Sequence, residues 1–227
     1  QNIIFSPDGR YIITAGPVEA RVWDVSTGQT VHVISENSAS SFFRVRYSPD
    51  GNYFALGSLG DTLVRLYDAN TFEQVRVFKH PDTACCVAFS PDGKLIATAG
   101  HDRKVRLWDI ETGEIIREFT GHHNDFEDLR FSPDGHYLIT ANDDQTSRIF
   151  DVATGKTLRI FSGRTAVQAG LFTHDGKFAL TTNLGEVDIW SLETSPGGMI
   201  FSANDQPIRK ARSEEHTSEL QSPYVIS

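Results

Sequence analysis

The chain has 227 residues, of which 39% are hydrophobic and 22% are charged, and its formal net charge is −9. This negative charge argues against a nucleic-acid-binding surface, which needs clustered Lys and Arg. No run of about 18 apolar residues occurs, so the sequence predicts no membrane-spanning helix. The composition is otherwise typical of a soluble globular protein.

The two cysteines, Cys85 and Cys86, are neighbours in the sequence. Neighbours on a strand point to opposite faces, so a disulfide between them would be strained, and a disulfide framework is excluded. This favours a reducing compartment, and we expect a cytoplasmic protein. Residue 1 is Gln, so we expect that the chain's own start is missing and that no targeting signal can be read.

Two short phrases recur along the chain in step with each other. The first is FSPDG at residues 5–9, followed by YSPDG at 47–51, FSPDG at 89–93 and 131–135, and FTHDG at 172–176, so successive Asp residues lie 42, 42, 42 and 41 positions apart. The second is VWD at 22–24, LYD at 66–68, LWD at 107–109, IFD at 149–151 and IWS at 189–191. Two markers with one period indicate an internal repeat.

In chain order, the repeats are anchored at 5–24, 47–68, 89–109, 131–151 and 172–191. The third repeat shows the predicted unit, which is four strands at 84–90, 95–99, 105–108 and 115–119. Pro91 presets φ for the first turn, and Gly93 tolerates a positive φ. No window has a convincing helical period, so helix is nearly absent.

The repeat predicts an all-β fold. A lone four-stranded sheet of about 40 residues cannot bury both of its faces, whereas sheets stacked radially can. We therefore predict a β-propeller of four-stranded antiparallel blades, with about five blades present. A β-sandwich is the alternative for many short strands, but it does not require a strict repeat of 42 residues.

These residues resemble the Trp-Asp repeat (WD-repeat) β-propeller family over 1–211. The third repeat carries the family's whole signature in His80, Thr98, Asp102 and Trp108. The resemblance implies that these four side chains form a hydrogen-bonded structural tetrad within one blade. It also implies that the chain is a fragment of a larger, seven-bladed ring, and that the complete propeller is a monomeric ring.

The other repeats depart from this signature. The fourth keeps His122, Thr140 and Asp144 but has Phe150, which cannot donate a hydrogen bond, at the Trp position. The sequence therefore predicts that the third blade is the most rigid.

The end of the chain breaks the pattern. Residues 205–211 look like the start of a sixth repeat, with Ile208–Ala211 as its first strand. From Arg212 the chain reads RSEEHTSELQS, which resembles the in-frame translation of a sequencing adapter. We expect 212–227 to be a disordered, non-native tail; a natural acidic tail is the alternative.

No catalytic site, cofactor site or metal site is predicted. His101 and Asp102 resemble half of a catalytic dyad, but a blade turn with a structural Asp explains them better. His122 and His123 with Asp125 match no common zinc spacing. Arginines recur two residues before the Trp position, and we expect their stems to pack between blades rather than to form a phosphate-reading ring. An enzyme that uses the central funnel would need polar residues that converge on the first strands, and the sequence shows none.

The resemblance instead implies a docking platform. Family members bind partners mostly on the face formed by the loops before the first strand and between the second and third strands. Transferred to this sequence, the candidate partner-binding residues are Ser41, Phe43, Gly60, Thr83, His101, Asp125 and Asp143.

Phe43 has an alternative position in the core between blades. We expect a non-enzymatic scaffold that binds a protein partner, with no nucleic acid and no membrane. The alternative is a regulatory propeller in a multidomain signalling enzyme whose catalytic domain lies outside this sequence.

Overall fold

The structure, a computed structural model, describes residues 2–35, 41–183, 186–195, 198–200 and 209–212. All regular structure in these residues is β-strand, and no helix occurs among them. The strands form five four-stranded antiparallel sheets and one two-stranded hairpin. The all-β prediction is confirmed, and the predicted tail lies outside the described residues except for Arg212.

Each of the first four sheets consists of four consecutive strands. The first sheet is β1 (Asn2–Phe5), β2 (Tyr11–Ala15), β3 (Glu19–Asp24) and β4 (Thr30–Ser35). The second is β5 (Ser41–Tyr47), β6 (Tyr53–Leu59), β7 (Leu63–Asp68) and β8 (Gln74–Lys79). The third is β9 (Ala84–Phe89), β10 (Leu95–Gly100), β11 (Val105–Asp109) and β12 (Ile115–Phe119). The fourth is β13 (Phe126–Phe131), β14 (Tyr137–Asn142), β15 (Thr146–Asp151) and β16 (Thr157–Ser162).

The fifth sheet is assembled differently. It begins with β17 (Ala169–Phe172), β18 (Phe178–Asn183) and β19 (Glu186–Ser191). A hairpin of β20 (Glu193–Ser195) and β21 (Gly198–Ile200) follows, and β22 (Arg209–Arg212) then completes the sheet by pairing with β19.

The pairing of β22 differs from the sequence-based expectation. Residues 208–211 were predicted as the first strand of a sixth repeat, but Arg209–Arg212 are the outer strand of the fifth sheet. In the first four sheets an Asp carboxylate, as in Asp109 accepting from the Thr112 amide, shapes the turn that leads directly into the fourth strand. Ser191 replaces that Asp in the fifth repeat. The edge of β19 carries unpaired backbone groups, and a later extended segment satisfies them.

The recurring Ser-Pro-Asp-Gly phrase makes the turn between the first and second strands. In the first copy, the Ser6 hydroxyl donates to the Asp8 carboxylate over 2.6 Å, and the Gly9 amide donates to the Ser6 carbonyl over 2.9 Å. Gly9 has a φ of 71°, which a residue without a Cβ adopts readily. Thr173 replaces Ser in the fifth copy and makes the same bond to Asp175 over 2.6 Å, so this turn forms in all five sheets.

The apolar core lies between neighbouring sheets. One cluster joins the first and second sheets around Phe54, a second joins the second and third around Trp108, and a third centres on Phe126 and joins the third and fourth. A fourth cluster joins the fourth and fifth sheets around Trp190. The first strands of successive sheets contact one another, which places them nearest a common axis. Sheets that bury their faces against like neighbours around an axis form a β-propeller, as predicted.

In the third, fourth and fifth sheets, the aromatic residue of the third strand contacts a ring of the sheet before it. The ring of Phe78 on β8 lies 5.3 Å from that of Trp108 on β11, and Phe161 on β16 lies 4.5 Å from Trp190 on β19. Phe119 and Phe150 repeat the contact at 5.4 Å. Trp and Phe are therefore interchangeable in this contact, which explains why the fourth repeat tolerates Phe150.

Candidate partner-binding rim

The predicted tetrad forms in the third sheet. The indole N–H of Trp108 on β11 donates to the Thr98 hydroxyl on β10 over 2.7 Å. The Nε2 atom of His80, in the loop after β8, lies 2.7 Å from the same hydroxyl. Asp102 follows β10, and its carboxylate lies 3.7 Å from the His80 Nδ1 atom. Because these four side chains come from three segments, the network fixes the loops at one end of the sheet.

Arg106 on β11 completes this network. Its guanidinium donates to the Nδ1 atom of His80 over 2.8 Å and forms an ion pair with Asp102. Since Nδ1 accepts, the proton of the neutral imidazole is on Nε2, which donates to Thr98. Burial alone would raise the pKa of Asp102, but the hydrogen bond and the positive charge of Arg106 outweigh it and lower this pKa. The arginine was expected to pack through its stem, and its head in addition joins the tetrad.

The fourth sheet has the same network with the opposite tautomer. The Nδ1 atom of His122 lies 2.8 Å from the Asp144 carboxylate, which can only accept, so the proton is on Nδ1. Nε2, 2.7 Å from the Thr140 hydroxyl, is then the acceptor. Burial lowers the pKa of His122 to about 4, although Asp144 opposes the shift. His122 is therefore neutral at pH 7 and holds the loop by hydrogen bonds alone.

We call the rim the end of the sheets at which the first strands begin and the second strands end. The predicted partner-binding residues are at this end, beside or within the described strands. They are Ser41 and Phe43 on β5, Gly60 after β6, Thr83 before β9, His101 after β10, Asp125 before β13, and Asp143 after β14.

Hydrogen bonds group these residues within each sheet. The amide of His101 donates to the Thr83 carbonyl over 2.8 Å, and the amide of Asp143 donates to the Asp125 carbonyl over 3.0 Å. Between the third and fourth sheets, the His101 Nε2 atom lies 3.6 Å from the Asp125 carboxylate. Both side chains are more than one third exposed, at 37% and 40%. The structure therefore brings Thr83, His101, Asp125 and Asp143 into one continuous surface.

Phe43 lies partly in the core. It is half-buried against the cluster between the third and fourth sheets, with the Arg44 guanidinium 5.0 Å from its ring. Phe43 is also the extra residue of a β-bulge, because Phe42 and Arg44 pair with successive residues of β6. The position therefore corresponds to the inter-blade alternative raised from the sequence.

An equivalent bulge in β9 of the third sheet alters the expectation for the cysteines. Cys86 pairs with Ala99 and Ala84 pairs with Gly100, so Cys85 is an extra residue of β9. The bulge turns the two sulfur atoms toward each other, at 3.6 Å, instead of to opposite faces. Both cysteines are buried and free.

The side chains weighed as catalytic or metal-binding have separate structural partners. Asp102 pairs with Arg106 on the inside, whereas the neighbouring His101 faces Asp125. His122 is occupied by Asp144 and Thr140. Within the described part of the chain, no three His, Cys, Asp or Glu side chains are grouped as a metal site would require. The same residues include no helix with the length and apolar character needed to cross a bilayer.

Sequence reasoning missed a group of charged residues on the first strands. Arg44 and Arg46 on β5 approach Glu127, Asp128 and Arg130 on β13, although one whole sheet separates these strands. The available signal was charge at alternate positions before two of the Ser-Pro-Asp-Gly turns, since residues i and i+2 share a face of a strand.

A family model described as WD domain, G-beta repeat matches residues 28–68, 72–109 and 113–151, which together exceed half of the chain. Each matched unit contains the fourth strand of one sheet and the first three strands of the next.

Curated relatives match part of the chain. It is 37% identical over 113 residues to the guanine nucleotide-binding protein G(I)/G(S)/G(T) subunit beta-1 of Homarus americanus, covering 48% of this chain and 32% of that protein. It is 34% identical over 131 residues to the guanine nucleotide-binding protein subunit beta of Lymnaea stagnalis, covering 55% of this chain and 38% of that protein. The matched part of the chain thus spans about a third of the length of each of these relatives.

Proposed function

Because the chain belongs to the family described as WD domain, G-beta repeat, we propose that it is a non-enzymatic scaffold that binds another protein through its rim. The two relatives are named as subunits of a guanine nucleotide-binding protein, which means that they work within an assembly of several chains. Fold alone does not assign a function, so the argument depends on the surface.

The continuity of the rim across two sheets is the observation that carries this proposal. His101 and Asp125 belong to different sheets, yet their side chains are 3.6 Å apart and both reach solvent. Directly beneath them, the His80 and His122 networks fix the backbone of the two loops. Such a surface is already ordered before a partner binds, which lowers the entropy cost of association.

The test compares two His–Asp pairs at opposite ends of the molecule. His136 and Asp134 lie 3.1 Å apart in the turn after β13, away from the rim. A photo-crosslinking residue is placed at position 101 or at position 136, and the chain is expressed in its source cells. Specific protein adducts are expected from position 101 and not from position 136.

Binding of the protein identified in this way is then measured with purified components. We expect His101→Ala and Asp125→Ala to weaken binding, with His136→Ala unchanged. Equal effects at both ends, or adducts from position 136 only, would remove the rim as the binding surface. A cytoplasmic location and a monomeric ring remain predictions from the sequence.

A further inference from the structure

Three arginines from two non-adjacent sheets converge near the axis. Arg46 on β5 lies 3.4 Å from the Asp128 carboxylate on β13, and Arg130 on β13 lies 3.1 Å from the same carboxylate. Arg44 on β5 donates to the backbone carbonyl of Glu127. The carbonyl of Val45 also accepts from Arg46, over 2.9 Å.

Three guanidinium groups face two nearby carboxylates in this cluster, those of Asp128 and of Glu127, whose charge Arg44 stabilises. Within the described residues, Asp128 is the one carboxylate in ion-pair contact with Arg46 or Arg130, and Arg44 has no such partner. Burial, together with the nearby Arg130 cation, lowers the pKa of Arg46 to about 10, so Arg46 stays charged at pH 7. The chain as a whole has a net charge of −9, so a basic composition does not account for the excess.

The cluster also has unused hydrogen-bond donors. The Nε atoms of Arg44, Arg46 and Arg130 are buried and have no partner. An unpaired buried donor costs roughly 1–3 kcal/mol, and a charged one costs more. Asp128 has a side chain that is only 5% exposed and fixes two of the guanidinium groups, whereas Arg130 is 32% exposed and connects the cluster to solvent. Asp128 thus fixes Arg46 and Arg130 in place, and solvent reaches the cluster at Arg130.

We propose that Arg44, Arg46 and Arg130 form an oxyanion-binding site at the axis, which takes a phosphate group or a carboxylate. Guanidinium groups recognise both through paired N–H donors. Arg46 and Arg130 lie immediately before the residues that lead into the Ser-Pro-Asp-Gly turns, so they lie toward the end of the sheets opposite the rim. Arg46 and Arg130 are therefore separate from the proposed rim, whereas Arg44 lies beside the rim residue Phe43.

The test is a titration of the 227-residue chain with inorganic phosphate, in which binding is monitored by the chemical shifts of the arginine Nε–Hε signals in NMR spectra. Saturable shifts are expected for the three arginines. Loss of one charge-assisted contact should weaken binding about tenfold or more in Arg46→Ala and in Arg130→Ala. Arg164→Ala, at an exposed position of the fifth repeat, is the matched control for the loss of one positive charge and should leave the affinity within about twofold.

A gain of affinity provides the complementary test. Asp128→Asn removes the carboxylate that competes for Arg46 and Arg130, so phosphate affinity should rise about tenfold. Because Asp128 is buried, circular dichroism must show that this variant is folded; Arg130→Ala, at a more exposed residue, provides a second variant. Absence of saturable shifts in the wild-type chain, or an equal loss of affinity in Arg130→Ala and Arg164→Ala, would overturn the proposal.

The source of the anion is resolved by comparing ligands. Acetate and inorganic phosphate report on free anions, and peptides with one glutamate or one phosphoserine report on anions carried by a polypeptide. Tighter binding of a peptide than of the corresponding free anion assigns the site to a protein ligand, and the reverse order assigns it to a small molecule. Since no rim partner is needed, failure here leaves the proposed scaffold function unaffected.

Discussion

Replacing Thr98 with Val is the sharpest probe of the tetrad, because the substitution keeps the shape of the side chain and removes its hydroxyl. That hydroxyl accepts from Trp108 over 2.7 Å and from His80 over 2.7 Å. Thr98→Val therefore leaves two buried donors unpaired. At roughly 1–3 kcal/mol for each, the expected loss of unfolding free energy is about 2–6 kcal/mol.

Thr140→Val is the internal control in the fourth sheet. Both threonines are fully buried on second strands. In the fourth sheet, Phe150 stands at the position of Trp108 and has no N–H to donate, so His122 is the one tetrad side chain that bonds to the Thr140 hydroxyl. This variant leaves one buried nitrogen unpaired, at a cost of about 1–3 kcal/mol.

The assay is urea unfolding of both variants beside the wild-type chain. A lower midpoint with an unchanged m-value reports a loss of stability without a change in the surface exposed on unfolding. The cost of Thr98→Val should exceed that of Thr140→Val by about one unsatisfied group. Equal costs, or a larger cost for Thr140→Val, would show that the number of hydrogen bonds does not set the strength of these networks.

Four other outcomes are expected. In the folded chain His122 has a pKa of about 4, so as the pH falls the unfolded chain binds a proton at this residue first. The free energy of unfolding should therefore fall by up to roughly 3 kcal/mol as the pH drops from about 6.5 to about 4. In His122→Gln, unfolding measurements should show a weaker dependence of this free energy on pH. Gly100→Ala places a Cβ 1.8 Å from a backbone oxygen, so thermal unfolding should show that the free energy of unfolding falls by roughly 3 kcal/mol or more. In the control Gly28→Ala, nothing lies within 4 Å of the new Cβ and only the φ of 68° opposes it, so the loss should be about 1 kcal/mol. Arg76 donates to two carbonyls of the next sheet over 3.1 and 2.6 Å, and Arg76→Met should cost about 0.5–1.5 kcal/mol in urea unfolding. Amide exchange should be slowest in the third sheet, around Trp108, and slower exchange in any other sheet would contradict this prediction.

The sheets could be predicted from the sequence because the residues that form the turns and the packing contacts of a sheet recur within each repeat. The turn needs only a short side chain such as Ser90, an acceptor such as Asp92 and a glycine, all within a few residues. The third strand presents one large ring to its neighbour, and Trp108 or Phe150 serves equally well. Local rules of this kind can be read from a single chain without knowledge of distant contacts.

The bulges and the axial cluster depend on contacts that the repeat does not encode. Gly100 is the nearest signal for the bulge at Cys85, because a Cβ there would meet the Thr83 carbonyl, and glycine within a strand often marks such a site. Nothing near Arg46 in the sequence identifies Asp128, 82 residues away, as its partner. The tautomers of His80 and His122 likewise follow from Arg106 and Asp144, whose side-chain positions are set by tertiary packing.

Comparing equivalent positions of the five repeats distinguishes residues that a sheet needs in order to form from residues that are available to bind a ligand. Three positions before the aromatic residue that closes each first strand, the five sheets have Asn2, Arg44, Cys86, Asp128 and Ala169. The third and fifth sheets form first, second and third strands with uncharged residues at this position, so neither Arg44 nor Asp128 is required for a first strand to pair. Burying such charges is costly unless they are matched. Their convergence at the axis therefore has a cause other than sheet formation, and an anionic ligand supplies one.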